Sequence, residues 1–128
     1  MPKLTRIFYV EDEPDILEVA KIALGDIGGF EVGSASSGQE ALQRLAAFSP
    51  DLILLDVMMP GMDGPTTLCE LRKIPTLKDI PVIFMTAKVQ PKEIEHFKAI
   101  GALEVIAKPF DPMTLAGQLS KIWERHCV

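Results

Sequence analysis

Five residues with chemically useful side chains stand directly after apolar runs of the chain. Glu11 and Asp12 follow the first run, and Asp56 follows the third. Thr86 follows the fourth run and Lys108 the fifth. Each residue alone has an ordinary interpretation, since acids favour helix starts and turns, threonine caps helices and loop lysines are usually solvated. Together they form a set of carboxylates, one hydroxyl and one ammonium.

This set has the composition that phosphoryl transfer requires. Carboxylates that share one pocket repel one another, and a hard divalent cation such as Mg²⁺ relieves that repulsion. Lys108 adds a single positive charge, which cannot neutralise all the acids. A carboxylate such as Asp56 can act as a nucleophile and form an acyl phosphate. The cation, the ammonium and the hydroxyl can then hold the phosphoryl oxygens.

The apolar runs alternate with segments of helical period, which predicts one α/β domain over residues 1–128. Strands separated by single helices must be parallel and joined by right-handed crossovers. We expect a doubly wound (βα)5 sheet in the order 2-1-3-4-5, with the weak second run and the short fifth run at its edges. The carboxyl ends of parallel strands share one edge, so the five side chains should converge there. The predicted strands are residues 7–10, 30–35, 52–55, 81–85 and 103–107.

Residue patterns also mark the ends of the predicted helices. Ser37 and Glu40 have the spacing of a capping box, and Pro65 suits a first helical turn. Asp111 is a predicted N-cap, with Pro112 at the first helical position. The predicted stops are Gly28-Gly29, Pro75 and Gly101.

Composition narrows the possible functions. A net charge of −5 argues against nucleic acid as a direct partner. The chain has neither an apolar run long enough to span a membrane nor a signal pattern at its start, so we expect a cytoplasmic protein. Cys69 and Cys127 match no metal spacing and are interpreted as reduced thiols. His96 and His126 are isolated, which argues against a zinc site.

In these residues and their order, the chain resembles the receiver domain of two-component response regulators. This is the CheY-like family, whose fold is flavodoxin-like. The resemblance extends from Arg6 to about Trp123. Its matching segments are Glu11-Asp12, residues 55–64 around Asp56, Thr86-Ala87 and Lys108-Pro109-Phe110.

The resemblance implies that Asp56 is the phosphoacceptor and takes its phosphoryl group from a histidine kinase or a phosphotransfer protein. It implies a Mg²⁺ site, with Mn²⁺ as a possible substitute. Asp12, Asp56 and the backbone carbonyl of Met58 would be its direct ligands, and Glu11 would act through metal-bound water. Such a protein takes part in its own phosphoryl transfer and is not a turnover enzyme.

Resemblance also assigns the residues around the phosphoryl group. Lys108 would pair with Asp56 and then with a phosphoryl oxygen, and the Thr86 hydroxyl would bond another. Small Ala87 would leave room for the group, and the bond between Lys108 and Pro109 is a candidate cis peptide.

The chain departs from the family pattern in ways that bear on output and lifetime. Glu11 replaces the more usual aspartate and keeps its charge. Val105 replaces the usual aromatic residue, so we expect phosphorylation to reshape the loop after the fourth strand more than the fifth strand. Met58 and Lys88 would flank the approach of water, and Met58 cannot orient it, which predicts slow self-dephosphorylation.

No output domain is expected after the fifth helix, which suggests a stand-alone receiver that acts on an unidentified protein target. Its signalling surface would be the fourth helix, the fifth strand and the fifth helix. It would be a monomer or a phosphorylation-linked dimer. Phe97, Trp123 and the region of Phe110 could contribute to that surface, although a packing role is favoured for them.

Three alternatives remain open from the sequence. A haloacid-dehalogenase-like phosphatase also uses a nucleophilic aspartate and Mg²⁺, but it needs a second acid where Met58 stands. A flavodoxin needs a phosphate loop rich in glycine and hydroxyls after the first strand, where Glu11 and its neighbours would repel phosphate. A receiver fold could also serve as an interaction module without phosphorylation.

Overall fold

The computed structural model describes residues 3–126, and Cys127, predicted to be a reduced thiol, lies outside them. Five strands alternate with five helices along this part of the chain. The strands are β1 (Arg6–Val10), β2 (Glu31–Ala35), β3 (Leu52–Asp56), β4 (Val82–Thr86) and β5 (Glu104–Ala107). The helices are α1 (Pro14–Lys21), α2 (Gly38–Phe48), α3 (Gly64–Leu71), α4 (Pro91–Ala99) and α5 (Leu115–His126).

All neighbouring strands run parallel, in the order β2-β1-β3-β4-β5. This confirms the predicted fold class and strand order. The sequence order reverses between β1 and β3, so β1 lies beside both β2 and β3. Helices connecting parallel strands must cross the sheet faces, which places one helix layer on each side.

The core consists of two apolar clusters, one on each face of the sheet. Every residue of β3 and β4 is buried, as expected for central strands covered on both faces. One cluster joins the sheet to α2, α3 and α4, and the other joins it to α1 and α5. Each fully buried leucine or isoleucine stabilises the fold by about 1.5–3 kcal/mol relative to an exposed side chain.

Two helix boundaries differ from the predictions. Helix α3 ends at Leu71, before Pro75, and residues 72–80 form turns in which the Arg72 side chain donates to the Ile80 carbonyl at 2.8 Å. Helix α5 begins at Leu115 and not at Pro112. Asp111 still accepts a hydrogen bond from the Met113 N–H at 2.9 Å, so it caps a turn that precedes the helix.

The start of α2 and the end of α1 also have features that the patterns missed. Ser37 accepts from the Glu40 N–H at 3.1 Å as predicted, but the Glu40 carboxylate accepts from the Ser36 N–H. In a standard capping box Glu40 would accept from the N–H of the N-cap, Ser37. Here it accepts from the residue before the N-cap. Helix α1 continues as a π-helix over Ile22–Ile27 before it ends at the predicted glycines.

Within residues 3–126, none of the helices combines the length and apolarity needed to cross a bilayer.

Candidate functional site

The structure gathers the predicted side chains at the carboxyl edge of the sheet. Asp56 and Thr86 are the last residues of β3 and β4. Glu11 follows β1 and remains tied to the sheet, because its N–H donates to the Ala35 carbonyl at 3.0 Å. The Lys108 N–H donates to the Thr86 carbonyl at 2.9 Å, which extends the pairing of β4 and β5 to the lysine.

Lys108 bridges two of the acids. Its ammonium nitrogen lies 2.9 Å from Oε1 of Glu11 and 3.2 Å from Oδ1 of Asp56. The pair with Asp56 was expected, whereas the shorter one with Glu11 was not. Sequence reasoning placed Glu11 and Lys108 on one edge of the sheet but had no signal for which acid the ammonium would approach more closely.

The three acids form one compact cluster. Glu11, Asp12 and Asp56 each offer a carboxylate oxygen, and these oxygens lie within 4.8 Å of one another. Glu11 is completely buried and Asp56 is 3% exposed. Burial raises the pKa of Glu11 to about 7 despite the hydrogen bond from Lys108. Burial also raises the pKa of Asp56, and the Lys108 ammonium offsets this only in part.

The pKa of Lys108 is raised as well, which for a lysine favours the charged form. Burial lowers the pKa of Lys108, but its hydrogen bond to Glu11 and the charge of Asp56 outweigh this, and the net pKa is raised. Lys108 therefore stays charged, while the acids retain an excess of negative charge. A hard divalent cation suits this all-oxygen donor set, so the residues present fit Mg²⁺.

Asp56 opens onto a cavity of about 400 Å³. Thr86 lines this cavity, and its hydroxyl accepts a hydrogen bond from the Lys88 N–H at 3.1 Å. The bond between Lys108 and Pro109 is cis, as the resemblance implies. The cavity is lined by Glu13, Ile16, Asp56, Met58, Thr86, Ala87, Lys88, Lys108 and Pro109.

The loop after β3 is held close to Asp56 by Gly64. The Gly64 N–H donates to the Val57 carbonyl at 2.9 Å, and Asp63 caps α3 by accepting from the Thr66 N–H at 2.9 Å. A Cβ on Gly64 would lie 2.6 Å from the Asp56 carbonyl oxygen. This close approach lets the loop that contains Met58 turn back over the carboxyl edge.

A family model described as the response regulator receiver domain matches residues 7–120. The match covers most of the chain and includes all of the strand-end residues described above. The chain belongs to the response regulator receiver family. Receiver domains typically bind Mg²⁺, in agreement with the acid cluster, and they interact with histidine kinases or phosphotransfer proteins.

Curated relatives resemble the receiver domain over part of their length. The transcriptional regulatory protein CseB of Streptomyces avermitilis is 34% identical over 125 residues, covering 98% of this chain and 52% of that protein. The phosphate regulon transcriptional regulatory protein PhoB of Pseudomonas aeruginosa is 35% identical over 119 residues, covering 93% and 52%. The receiver domain thus spans about half the length of the curated relatives it matches.

Solved structures match the receiver domain over almost its whole length. Chemotaxis protein CheY4 of Vibrio cholerae aligns with a TM-score of 0.85 and 31% identity, covering 93% of this chain and 98% of that chain. The N-terminal domain of a receiver protein from Methanoculleus marisnigri aligns with a TM-score of 0.75 and 38% identity, covering 97% of each chain. These matches favour the receiver over the phosphatase and flavodoxin alternatives.

Three aromatic residues are candidates for the signalling surface, and they lie at packed faces of the domain. Phe97 is 8% exposed and meets Phe84 edge to face, with the ring centroids 5.2 Å apart. Trp123 and Phe110 are partly buried against the cluster beneath α1 and α5. These positions support the packing interpretation of the three aromatic residues. Val105 is partly buried against the opposite cluster.

Proposed function

We propose that this receiver domain accepts a phosphoryl group on Asp56 from the phosphohistidine of a histidine kinase or a phosphotransfer protein. The observation that carries the proposal is the position of Asp56. It ends β3 at the cavity, with the Lys108 ammonium 3.2 Å from its Oδ1 and Thr86 in the same cavity wall. A nucleophilic carboxylate, a cation and a hydroxyl thus face one space.

Asp12, Asp56 and the backbone carbonyl of Met58 would hold Mg²⁺, or Mn²⁺ in its place, and Glu11 would contribute through metal-bound water. When bound, the cation would neutralise charge on the acids and on the phosphoryl oxygens. The burial of Glu11 and Asp56 supports this assignment, because it raises the pKa of both carboxylates and so makes their charged forms costly without a nearby cation.

In the proposed step, a carboxylate oxygen of Asp56 forms a bond to phosphorus while the bond from phosphorus to the donor's imidazole nitrogen breaks. The bonding electron pair leaves with that nitrogen, which takes up a proton. Lys108 turns from Asp56 to one phosphoryl oxygen, and the Thr86 hydroxyl donates to another. Ala87 leaves space at the cavity wall for the entering group.

The proposed phosphoryl transfer also has consequences for how often each domain reacts and for the partners it needs. Each domain consumes one phosphoryl group for each cycle and loses it slowly to water, so it is not a turnover enzyme. We place the protein in the cytoplasm, where it would act on a protein target as a monomer or a phosphorylation-linked dimer. Neither nucleic acid nor a membrane is proposed as a direct partner.

The decisive experiment is incubation with Mg²⁺ and a small phosphodonor such as acetyl phosphate, followed by intact mass measurement. We expect one phosphoryl adduct for each chain and none in Asp56→Asn. Asp26→Asn is the matched control, because Asp26 is exposed and does not line the cavity. It should be labelled like the wild type.

The outcomes separate the candidate functions. Absence of the adduct in the wild type at saturating donor would favour the interaction module that works without phosphorylation. Release of many equivalents of phosphate for each chain would point to a phosphatase. An adduct that persists in Asp56→Asn would place the modification elsewhere.

A further inference from the structure

Tyr9 is a buried polar residue that the proposed phosphoryl transfer does not use. It lies in the middle of the domain on β1 with no exposed surface. Its hydroxyl has no hydrogen-bond partner among residues 3–126. Leaving such a group unpaired is costly, so an unpaired tyrosine hydroxyl calls for a functional explanation.

Strand geometry places this side chain beside the acids. Tyr9 and Glu11 are two residues apart along the direction of β1, so their side chains lie on the same face of the sheet. Tyr9 pairs with Leu54 across the sheet, which puts Asp56 on that face as well, two residues further along β3. The Tyr9 ring also contacts Phe110, with centroids 6.4 Å apart. Phe110 belongs to the segment that contains Lys108.

The hydrogen bonds that the Glu11 carboxylate accepts explain why it would need another donor during the proposed phosphoryl transfer. Glu11 is fully buried, and its carboxylate accepts from the Lys108 ammonium at 2.9 Å and from the Glu13 N–H at 3.3 Å. When Lys108 turns to a phosphoryl oxygen, Glu11 loses the shorter of these bonds. A buried carboxylate that loses a donor is destabilised unless another replaces it.

We propose that Tyr9 is a positioning residue of the phosphoryl site, whose hydroxyl donates to the Glu11 carboxylate once Lys108 turns to the phosphoryl group. The inference rests on the proposed function of Asp56. It assigns Tyr9 a hydrogen bond in the phosphorylated state that is absent from the unphosphorylated one. The hydroxyl then destabilises the unphosphorylated domain and stabilises the phosphorylated one.

The protonation of Tyr9 agrees with a donor role. Burial raises the pKa of its hydroxyl well above the usual value, and the charges of Glu11 and Asp56 raise it further. The hydroxyl therefore keeps its proton wherever the site functions. The contribution of both acids also agrees with their proximity to the ring.

Tyr9→Phe tests the inference because it removes only the hydroxyl and keeps the ring that packs against Phe110. The probe is beryllofluoride with saturating Mg²⁺, a mimic of the phosphoryl group, titrated by NMR. We expect the dissociation constant for beryllofluoride to rise about three- to tenfold, as for the loss of one hydrogen bond. The melting temperature of the metal-free domain should be unchanged or higher.

A second measurement links Tyr9 to Glu11. In a Glu11→Gln background, Tyr9→Phe should change the affinity for beryllofluoride by less than about twofold, because the charged acceptor is gone. Thr5→Val is the control, since the Thr5 hydroxyl donates to Asp51 at 2.9 Å and Thr5 precedes the amino end of β1. It should lower the melting temperature and leave beryllofluoride binding unchanged.

Three results would overturn the inference. Equal affinity of wild type and Tyr9→Phe for beryllofluoride would exclude the new hydrogen bond, while the proposed function of Asp56 would stand. A marked fall in the melting temperature of metal-free Tyr9→Phe would mean that the hydroxyl already has a partner, such as a bound water. Failure of the wild type to bind beryllofluoride would remove both proposals.

Discussion

At the residue scale, Lys108 shares one ammonium between two buried carboxylates. It lies 2.9 Å from Glu11 and 3.2 Å from Asp56, and the acids still outnumber it once Asp12 is included. The site is therefore short of positive charge, which favours a divalent cation. In the proposed transfer the same lysine turns to a phosphoryl oxygen, and it then gives up its bonds to both acids.

We expect the lifetime of the proposed acyl phosphate to depend on another single residue, Met58. Its side chain is 66% exposed and lines the cavity, where it cannot orient water. We predict that Met58→Asn shortens the half-life of phosphorylated Asp56 about tenfold, the effect of one added hydrogen bond to the attacking water. The measurement is decay of the phosphorylated form by intact mass after the donor is removed.

The matched control for this change is Met113→Asn, because Met113 is 71% exposed and does not line the cavity. The phosphorylated form of Met113→Asn should decay with the same half-life as that of the wild type. A half-life of seconds in the wild type would contradict the prediction that the domain loses its phosphoryl group slowly.

At the scale of elements, the helix α3 begins in direct contact with the end of β3. A Cβ on Gly64 would lie 2.6 Å from the Asp56 carbonyl oxygen and 2.8 Å from the Val57 Cα. These are backbone atoms, so they cannot move aside as a flexible side chain could. The fit of helix against strand therefore determines where the loop with Met58 lies over the carboxyl edge.

We predict that Gly64→Ala lowers the free energy of unfolding by about 1–3 kcal/mol, as overpacking does, and slows phosphorylation of Asp56. Urea unfolding and the rate of labelling by acetyl phosphate measure the two effects. Gly117→Ala is the control, because Gly117 lies in α5 and a Cβ there, apart from its own stretch of helix, meets no atom of residues 3–126 within 4 Å. Alanine should leave labelling unchanged and stabilise α5 by about 0.5–1 kcal/mol. Equal effects of both substitutions would refute the packing argument.

The start of β1 depends on the carboxylate of Asp51. One of its oxygens accepts from the N–H groups of Thr5 and Arg6 at 3.0 and 2.9 Å, and from the Thr5 hydroxyl at 2.9 Å. Burial raises the pKa of Asp51, but these hydrogen bonds outweigh it, and the net pKa lies below the usual 3.8. The carboxylate thus stabilises the fold only while it is ionised.

The sign of the pH dependence follows from this lowered pKa. The contribution of Asp51 is complete above pH 3.8 and is lost as the pH falls through the lower pKa of the folded state. We predict that Asp51→Asn lowers the free energy of unfolding by about 1–2 kcal/mol at neutral pH. The difference from the wild type in urea unfolding should shrink as the pH falls below 3.8. A difference that is independent of pH would show that the charge is irrelevant.

At the scale of the whole molecule, we infer that the route from Asp56 to a partner surface would pass through β4. The Thr86 hydroxyl accepts from the Lys88 N–H at 3.1 Å, so a movement of Thr86 towards a phosphoryl group would disturb the exposed residues 87–90. On β5, Val105 is not aromatic, so it has no ring that could change orientation. Glu104 on the same strand is paired with Lys98 on α4 at 3.2 Å. We therefore expect phosphorylation to move the loop more than the strand.

We predict that beryllofluoride and Mg²⁺ change the backbone amide shifts of residues 87–90 more than those of β5. The comparison uses NMR spectra of the domain with and without the mimic, and Asp56→Asn serves as the control that should show neither change. Large changes confined to β5 would rule out the loop as the main route.

Several features of this protein were determined by its sequence alone. The alternation of apolar runs with helical segments predicts the parallel sheet and its order, because single-helix crossovers leave few topologies. The acids, Thr86 and Lys108 follow apolar runs, and the carboxyl ends of parallel strands share one edge. Their convergence could therefore be predicted without coordinates. The resemblance to receiver domains rests on the same residues.

Other features were decided only by the tertiary structure. The end of α3 before Pro75 depends on how residues 72–80 pack, with Leu77 buried, and local helix signals do not contain that information. The close approach of Lys108 to Glu11 joins residues 97 positions apart, and it depends on side-chain reach across the edge of the sheet. The unpaired hydroxyl of Tyr9 is visible only once the packing around it is complete. Sequence patterns report which face a residue occupies, whereas pairing and burial depend on distances that the folded chain sets.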